Sequence, residues 1–344
     1  QNLTTQTNTR NTAVGFEAGN DITTGVFNTL LGSNAGDALT DADSNVAVGV
    51  NALGTDTLGS RSTAVGLSAL QTQNFTSSTD SHNTAVGNQA GYAVTTGTLN
   101  TLVGSEAGVA ITTGTDNTCI GYRAGYQLVG GSNNTLIGTM ASFNLTGGGN
   151  NVVVGHDIAL SGQSNTNVIG MGIEVTTQSN NNFTFGNGAT DSNIAFGATS
   201  ITAPSDERYK EDIETSTAGL SFINDLRPVT FKWKKAKDVP NDHKSYIADG
   251  EEGCDDRVMC STGETNHGFI AQEVKTAIDN HPEIKDGFKM WSEDYREDND
   301  GNVIPNGRQR VAPSELVPML TKAIQELSAK NDALEARIKT LEGS

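Results

Sequence analysis

Asn11-Thr-Ala-Val-Gly15, Asn28-Thr-Leu-Leu-Gly32 and Asn45-Val-Ala-Val-Gly49 begin a short pattern that occurs nine times in the first half of this chain. The glycines that close the pattern are Gly15, Gly32, Gly49, Gly66, Gly87, Gly104, Gly121, Gly138 and Gly155. They are 17 residues apart, except for one step of 21 residues from Gly66 to Gly87. A fixed period of this length predicts a solenoid with one coil per repeat, and the longer step predicts an extended loop within Asn74–Asp80.

The strand of each repeat carries two adjacent apolar positions. The residue before each glycine is large, as in Val14 and Leu31, which is typical of a buried strand position. The residue before that is also apolar but varies in size, as in Ala13 and Leu30. Because adjacent strand residues point to opposite faces, both faces are expected to be covered. One coil has a single interior, so the second apolar face predicts a neighbouring subunit.

The regular array is expected to end near Gly155. The pattern decays through Gly170, Gly186 and Gly197 at shorter steps, while Phe183, Phe185 and Phe196 enter at large apolar positions. The aromatic stretch Phe183–Phe196 has two interpretations, a contact region for a ligand and core packing at the end of the array.

Composition divides the chain near residue 204. Residues 1–204 carry 3 Lys and Arg against 12 Asp and Glu, whereas residues 205–344 carry 19 against 28. The first half, rich in Gly, Asn and Thr, is typical of a β array, and the second is typical of a charged globular domain. Each half has a net charge of −9, which argues against a nucleic-acid partner. No run of 18 apolar residues is present, so membrane insertion is not expected.

Cysteines and histidines indicate no metal site and no cofactor. Cys119 occupies a repeat position and is expected to be a small buried side chain. Cys254 and Cys260 lie in one loop, where a local disulfide is feasible, and such a bond is typical of an extracellular protein. The chain begins with Gln1 and has no initial Met, so removal of a signal peptide or an upstream region is expected.

The segment from Pro204 to Ile213 has two interpretations. Ser205 can cap an α-helix whose first turn contains Asp206, because the helix dipole favours negative charge there. Alternatively, Ser205 and Lys210 form a dyad in which a neutral lysine accepts the serine proton. The spacing alone does not decide between them.

Four separate motifs, in order, extend from this segment to the last helix. They are Ser205–Ile213, Gly219–Trp233, Gly268–Val274 and Leu316–Leu327. Together they resemble the C-terminal intramolecular chaperone domain of phage tail fibres and tailspikes, the peptidase S74 family. This resemblance implies a domain that drives trimer assembly of the preceding β-rich fibre and, in many members, then cuts itself off.

Carried over by position, the resemblance assigns roles to four residues of the first motif. Ser205 would be the nucleophile, Lys210 the general base and Pro204-Ser205 the bond that is cut. Asp206 and Arg208 would support the site. The repeats in turn resemble the head repeats of trimeric autotransporter adhesins of the YadA type, which form a parallel β-roll and associate as trimers.

The C-terminus has a heptad pattern. Its core positions are Leu320, Ile324, Leu327, Asn331, Leu334, Ile338 and Leu341. The pattern predicts a coiled coil in which a single core asparagine sets the register. The chain number of three comes from the resemblance, and the alternative is an amphipathic helix packed on its own domain.

The sequence therefore predicts a mainly β chain with an N-terminal parallel β-roll or β-helix solenoid, then an α+β chaperone domain that ends in a trimeric coiled-coil helix. The expected regions are a repeat domain at 1–160, a transition at 161–204, the chaperone at 205–315 and the coiled-coil helix at 316–344. The predicted function is an extracellular, homotrimeric receptor-binding fibre that recognises a cell-surface glycan or protein. Alternatives are a bacterial surface fibre with a permanently attached cap, a structural filament, and a self-cleaving protease with the repeats as cargo.

Overall fold

The structure of the protein is a computed structural model that describes residues 10–188, 190–198, 200–202, 205, 207–241, 246–257, 264–285, 288–293 and 309–343. The chain forms two compact units, Gln1–Tyr209 and Lys210–Ser344. The first is the predicted parallel β-solenoid, so the fold class is confirmed.

Short strands recur once per coil through the first unit. They are β1 Thr12–Val14, β2 Thr29–Leu31, β3 Val46–Val48, β4 Gly59–Ser60, β5 Thr63–Val65, β6 Thr79–Asp80, β7 Thr84–Val86, β8 Thr101–Val103, β9 Thr118–Ile120, β10 Thr135–Ile137, β11 Val152–His156, β12 Val168–Ile173, β13 Asn182–Asn187 and β14 Thr190–Ala195. Twelve of them build one sheet, and the pair β4–β6 forms a small second sheet. Since β6 belongs to the longer coil, the predicted extended loop contains a short paired strand.

The closing glycines are required by the stacking of coils. Gly104 has φ +134°, and a Cβ at this position would lie 2.4 Å from the carbonyl oxygen of Gly121 in the next coil. The same arrangement recurs along the array. Only glycine combines this backbone conformation with so close an approach of the neighbouring backbone.

The two apolar strand positions take opposite sides of the sheet, and the larger one faces outward. The variable position is the interior one, with Leu30, Leu102 and Cys119 fully buried. The residue before the glycine lies on the outside, where Val14 is 58% exposed and Ile120 is 37% exposed. The pre-glycine residues are expected at a buried strand position, but the single chain itself does not cover them. The interior position accepts side chains from Ala to Leu.

Asparagines that begin the repeats form a buried ladder. The side-chain oxygen of Asn117 accepts a hydrogen bond from the backbone N–H of Asn134 at 3.2 Å, and its amide group donates to the carbonyl of Gly131 at 2.8 Å. Equivalent bonds follow at a spacing of 17 residues in neighbouring coils. At the coil where Ser62 replaces asparagine, the amide of Gln73 donates to the serine hydroxyl at 2.8 Å. The ladder thus satisfies backbone groups that the turns leave unpaired.

The array ends differently from the sequence-based expectation. Gly155 pairs with Gly172 and Gly172 pairs with Gly186, whereas Gly170 pairs with the interior residue Val153. The coil after Gly155 is therefore a full 17-residue coil, and the assignment of Gly170 to the glycine row is wrong. Strand β14 then pairs antiparallel with β13 and covers the last parallel edge of the sheet.

The second unit is α+β, as predicted. Its elements are α1 Leu220–Asp225, β15 Val229–Phe231, β16 Asn266–Gly268, α2 Ala271–Asp279, β17 Trp291–Glu293, β18 Gln309–Val311 and α3 Val317–Glu342, with 3₁₀ turns at Ala236–Asp238 and Pro313–Leu316. The strands form two antiparallel pairs, β15 with β16 and β17 with β18. A small core holds Phe222 of α1, Val274 and Ile278 of α2, and Met290.

Candidate functional site

The predicted processing segment lies where the two units meet in sequence. Ser205 is exposed and precedes a 3₁₀ turn at Glu207–Tyr209. Among the described residues of this segment the helical turn after Ser205 is of the 3₁₀ type, and no α-helix follows it before Leu220. The capping role of Ser205 stays a prediction. Arg208 and Lys210 are exposed as well.

The proposed catalytic arrangement stays a prediction. Ser205 belongs to the first unit and Lys210 to the second. Pro204 and Asp206 lie outside the described residues. In the single chain the Lys210 side chain is exposed, whereas a neutral lysine base needs a dehydrated environment. Burial in an assembled oligomer would supply that environment.

The second unit contains a histidine between two carboxylates. Nε2 of His281 lies 2.8 Å from Asp225 Oδ2, and Nδ1 lies 3.0 Å from Glu283 Oε1. The ring meets Phe222 edge-on, with centroids 5.3 Å apart. The hydrogen bond to Asp225 raises the pKa of His281, because the doubly protonated ring donates to both acceptors. This contact links α1 to the end of α2, and the sequence analysis did not identify it.

The last helix has its heptad residues exposed. Ala323 of α3 is buried, and Glu326 accepts a hydrogen bond from the backbone N–H of Leu220 at 3.0 Å, so the first part of the helix packs on α1. Ile324 is 66% exposed, and residues 327–343 are exposed throughout. All seven heptad residues are thus exposed in the single chain, which favours the coiled coil over the alternative interpretation. A coiled coil itself stays a prediction.

An apolar column follows the outside of the solenoid. We call it the outer column, and it consists of Val14, Leu31, Val48, Val65, Val86, Val103, Ile120, Ile137 and Val154. All nine side chains are half-buried or exposed. At the strand spacing of a sheet the column is roughly 40 Å long. A continuous apolar stripe of this length is unusual on a monomeric surface and indicates a contact surface.

The aromatic end of the array lies on the same outward face. Phe183 and Phe185 alternate with the buried residues Asn182 and Thr184, and their ring centroids are 4.9 Å apart. Phe196 is 48% exposed. The core-packing interpretation is therefore wrong for these rings, which continue the outward face.

The cysteines differ in what the structure shows. Cys119 is fully buried, as predicted, and burial raises the pKa of its thiol to about 12. Cys254 is buried, and Cys260 lies outside the described residues. The disulfide stays a prediction.

Among the described residues no group of three or more His, Cys, Asp or Glu side chains is placed to hold a metal ion. Within the same residues, no helix is both long and apolar enough to span a bilayer.

Comparison with known proteins identifies the second part of the chain. Residues 205–281 match the family model Peptidase_S74, described as chaperone of endosialidase. Neither the curated proteins nor the solved structures contain a match to the chain. The matched segment begins at Ser205 and ends at His281, and it follows directly after a β-solenoid of the kind expected in a tail-fibre-type protein. The chain thus carries a domain of the Peptidase_S74 family, the chaperone of endosialidase, at residues 205–281.

Proposed function

We propose that this protein is a homotrimeric receptor-binding fibre whose solenoid is the adhesive body and whose C-terminal part assembles it. The family of residues 205–281 indicates an assembly chaperone for a trimeric fibre and an extracellular setting. The observation that carries the proposal is the outer column, because it gives the solenoid an apolar face that another copy of the chain would cover.

The outer column fits a second copy better than a small ligand. Each repeat contributes one Val, Leu or Ile to the column. In most repeats a threonine two residues earlier also faces outward. Burial of each half-exposed side chain would contribute about 0.5–1 kcal/mol. A partner with the same 17-residue period can follow the column over its whole length, and an identical chain has that period.

The exposed part of α3 supports the same oligomer. Residues 327–343 span almost five helical turns and are exposed throughout. An isolated helix of this length is marginal in water. Exposed Leu327, Leu334 and Ile338 recur at the spacing of a coiled-coil seam, so neighbouring copies of α3 would stabilise one another.

Self-cleavage would make assembly irreversible. The Ser205 hydroxyl would attack the carbonyl carbon of Pro204, while neutral Lys210 would accept the hydroxyl proton and pass it to the Ser205 nitrogen, so that the amide becomes an ester and the amine of Ser205 is freed. Water would then hydrolyse this ester, which releases the Pro204 carboxylate and restores the Ser205 hydroxyl. An acyl shift of this kind needs the lysine dehydrated, which couples the cut to assembly. The released fibre would be kinetically trapped, since unfolding would no longer reverse its folding.

Two alternatives have different support. A permanently attached cap requires only that the cut does not occur, and the exposed position of Lys210 in the single chain is compatible with it. A filament that grows end to end requires open parallel edges at both ends. Antiparallel β14 covers the C-terminal edge of the sheet, which opposes that mode of growth.

Intact mass and native mass of the freshly expressed chain, of Ser205→Ala and of Ser216→Ala test the proposal. Ser216 is an exposed serine of the same segment and serves as the matched control. We expect trimers in all three cases, with a cut between Pro204 and Ser205 in the wild type and in Ser216→Ala only. Full-length trimers in all three would establish the permanent cap. Monomers at micromolar concentration would contradict the proposal.

A further inference from the structure

The outer surface of the solenoid changes character over four adjacent coils. The fifth position after the closing glycine is polar or glycine in the first four coils, where it holds Asn20, Asp37, Gly54 and Gln71. In the next four coils it holds Tyr92, Val109, Tyr126 and Phe143, all half-buried. Tyr92 and Tyr126 are two coils apart, roughly 10 Å along the array. An apolar and aromatic strip restricted to four coils is not required by the repeat, since the other coils stack without it.

Tyr122 and Arg123 adjoin Tyr126 and are counted as part of this strip. The arginine lies between the two tyrosine rings. The guanidinium carbon of Arg123 lies 4.9 Å from the ring centre of Tyr122 and 5.0 Å from that of Tyr126. Its Nε donates to Glu106 Oε2 at 2.7 Å. The group is therefore fixed in place by both rings and by the carboxylate.

The fixed arginine keeps hydrogen-bonding capacity for a ligand. Only its Nε–H is used by Glu106, and the terminal amino groups make no hydrogen bond among the described residues. The Arg123 side chain is 37% exposed, and Tyr122 is 43% exposed. The surface thus offers flat rings beside oriented N–H donors and a carboxylate acceptor. All other Lys and Arg residues before residue 204 lie outside this strip, as Arg10 and Arg61.

We propose that Tyr122, Arg123, Tyr126 and Glu106 form a glycan-binding site on the side of the solenoid. This inference rests on the proposed receptor-binding function and names its ligand class. Sugar rings have apolar C–H faces that pack on tyrosine, and their neighbouring hydroxyls match a planar guanidinium paired with a carboxylate. Because Arg123 and Glu106 compensate each other in charge, the site selects an uncharged saccharide rather than an acidic one.

The geometry disfavours a nucleic acid or an acidic polymer at the same place. The solenoid carries only three cationic side chains, and the one in the strip already faces Glu106. A polyanion would meet the acidic surface of the unit, whose net charge is −9.

An array of neutral and acidic oligosaccharides, probed with the full-length protein, tests the site. The variants are Tyr126→Ala and Arg123→Ala, and the matched controls are Phe16→Ala and Arg61→Ala. Phe16 is an exposed aromatic residue outside the strip, and Arg61 pairs with Asp80 at 3.2 Å as Arg123 pairs with Glu106. We expect binding to neutral glycans that falls at least tenfold in both strip variants and is unchanged in both controls.

Three results would overturn the inference. One is the absence of glycan binding by the wild type, and another is glycan binding that persists in both strip variants. The third is binding of whole cells that depends on Tyr126 while no oligosaccharide binds, because the ligand would then be a protein. Native mass of each variant keeps the proposed function separate, since a trimer that binds no glycan contradicts the site only, whereas a monomer contradicts the fibre.

Discussion

The two units of this chain differ in how they pair their backbone groups and in how they bury their apolar surfaces. In the solenoid, each coil bonds to the next with the same register, and the interior is completely buried within one chain. The second unit has two-stranded sheets, a small core and a helix in which residues 327–343 are exposed. The solenoid leaves a continuous apolar column exposed on one face, whereas the second unit leaves the larger part of one helix exposed. The coil of the solenoid is therefore stabilised within a single chain, whereas the stability of the last helix depends more strongly on partner chains.

The largest effect is expected from a charge on the outer column. Ile120→Asp leaves the coil intact because Ile120 faces outward, but it would bury three carboxylates between copies in a trimer. We expect loss of the trimer at micromolar concentration by native mass spectrometry, with unchanged β signal in circular dichroism. Val129→Asp is the control, because Val129 is 44% exposed and lies outside the column. Equal trimer populations in the two variants would argue against the column as an interface.

A smaller but still large effect is expected inside the solenoid. Gly104→Ala places a Cβ 2.4 Å from the carbonyl oxygen of Gly121, at a φ of +134° that alanine disfavours. We expect a loss of about 4 kcal/mol in the free energy of unfolding. Gly130→Ala is the control, since the nearest atom to its added Cβ is 3.8 Å away. Thermal melting of both variants in the Ser205→Ala background measures the difference, and similar midpoints would contradict the stacking constraint.

The exposed helix gives the third test of the comparison. Leu334→Asp removes a heptad residue that is 57% exposed in the single chain, so a monomeric helix would tolerate it. We expect amide protection of residues 327–343 in hydrogen exchange to fall at least tenfold in the variant, because these turns depend on neighbouring copies. Ala333→Asp, one residue away and off the heptad seam, should retain the protection. Fast exchange of this segment in the unmodified chain would show that the coiled coil does not form.

The smallest effect concerns the histidine of the second unit. The pKa of His281 is raised in the folded state by its bond to Asp225. The stabilisation that protonated His281 gives to the folded state is therefore complete below the unfolded pKa of about 6.5. It is lost as pH rises through the pKa of His281 in the folded state. We expect His281→Gln to remove about 1 kcal/mol at pH 6 and less at pH 8, since the exposed carboxylate of Asp225 weakens the pair. Denaturant unfolding at both pH values measures this, and a variant equally destabilised at both would argue for a packing role only.

The sequence predicted the period and the strand positions of the solenoid because glycine and asparagine recur in fixed places. It did not distinguish the inside from the outside of the strands. Both strand positions are apolar, so hydrophobicity alone does not tell the interior position from the outward one. The two positions differ in how much their side chains vary in size. A mixture of Ala, Cys and Leu marks the narrow interior, and a uniform row of Val, Leu and Ile marks the contact surface. The asparagine ladder was visible as Asn at the first repeat position, and its hydrogen-bonding capacity was the signal that was missed.

The site was less accessible to prediction than the fold. Resemblance located Ser205 and Lys210, and the family match at residues 205–281 begins at the same serine. The proposed reactivity of this pair would depend on dehydration of a lysine that is exposed in the single chain, so it would be a property of the assembly. The contact of His281 with Asp225 joins residues 56 positions apart. Such a pair follows from tertiary packing and leaves no local pattern.

Thiol labelling at the outer column tests most directly whether the outward face of the solenoid is buried between copies. Ile137→Cys would be placed on this column and Val129→Cys outside it, in the otherwise unchanged chain, where Cys119 is buried and protonated. Each assembled protein is treated with a maleimide, and the modified mass is followed over time. We expect Cys at position 137 to react at least a hundredfold more slowly than Cys at position 129 until the trimer is dissociated. Equal reaction rates in the assembled protein would contradict the trimer built on this face.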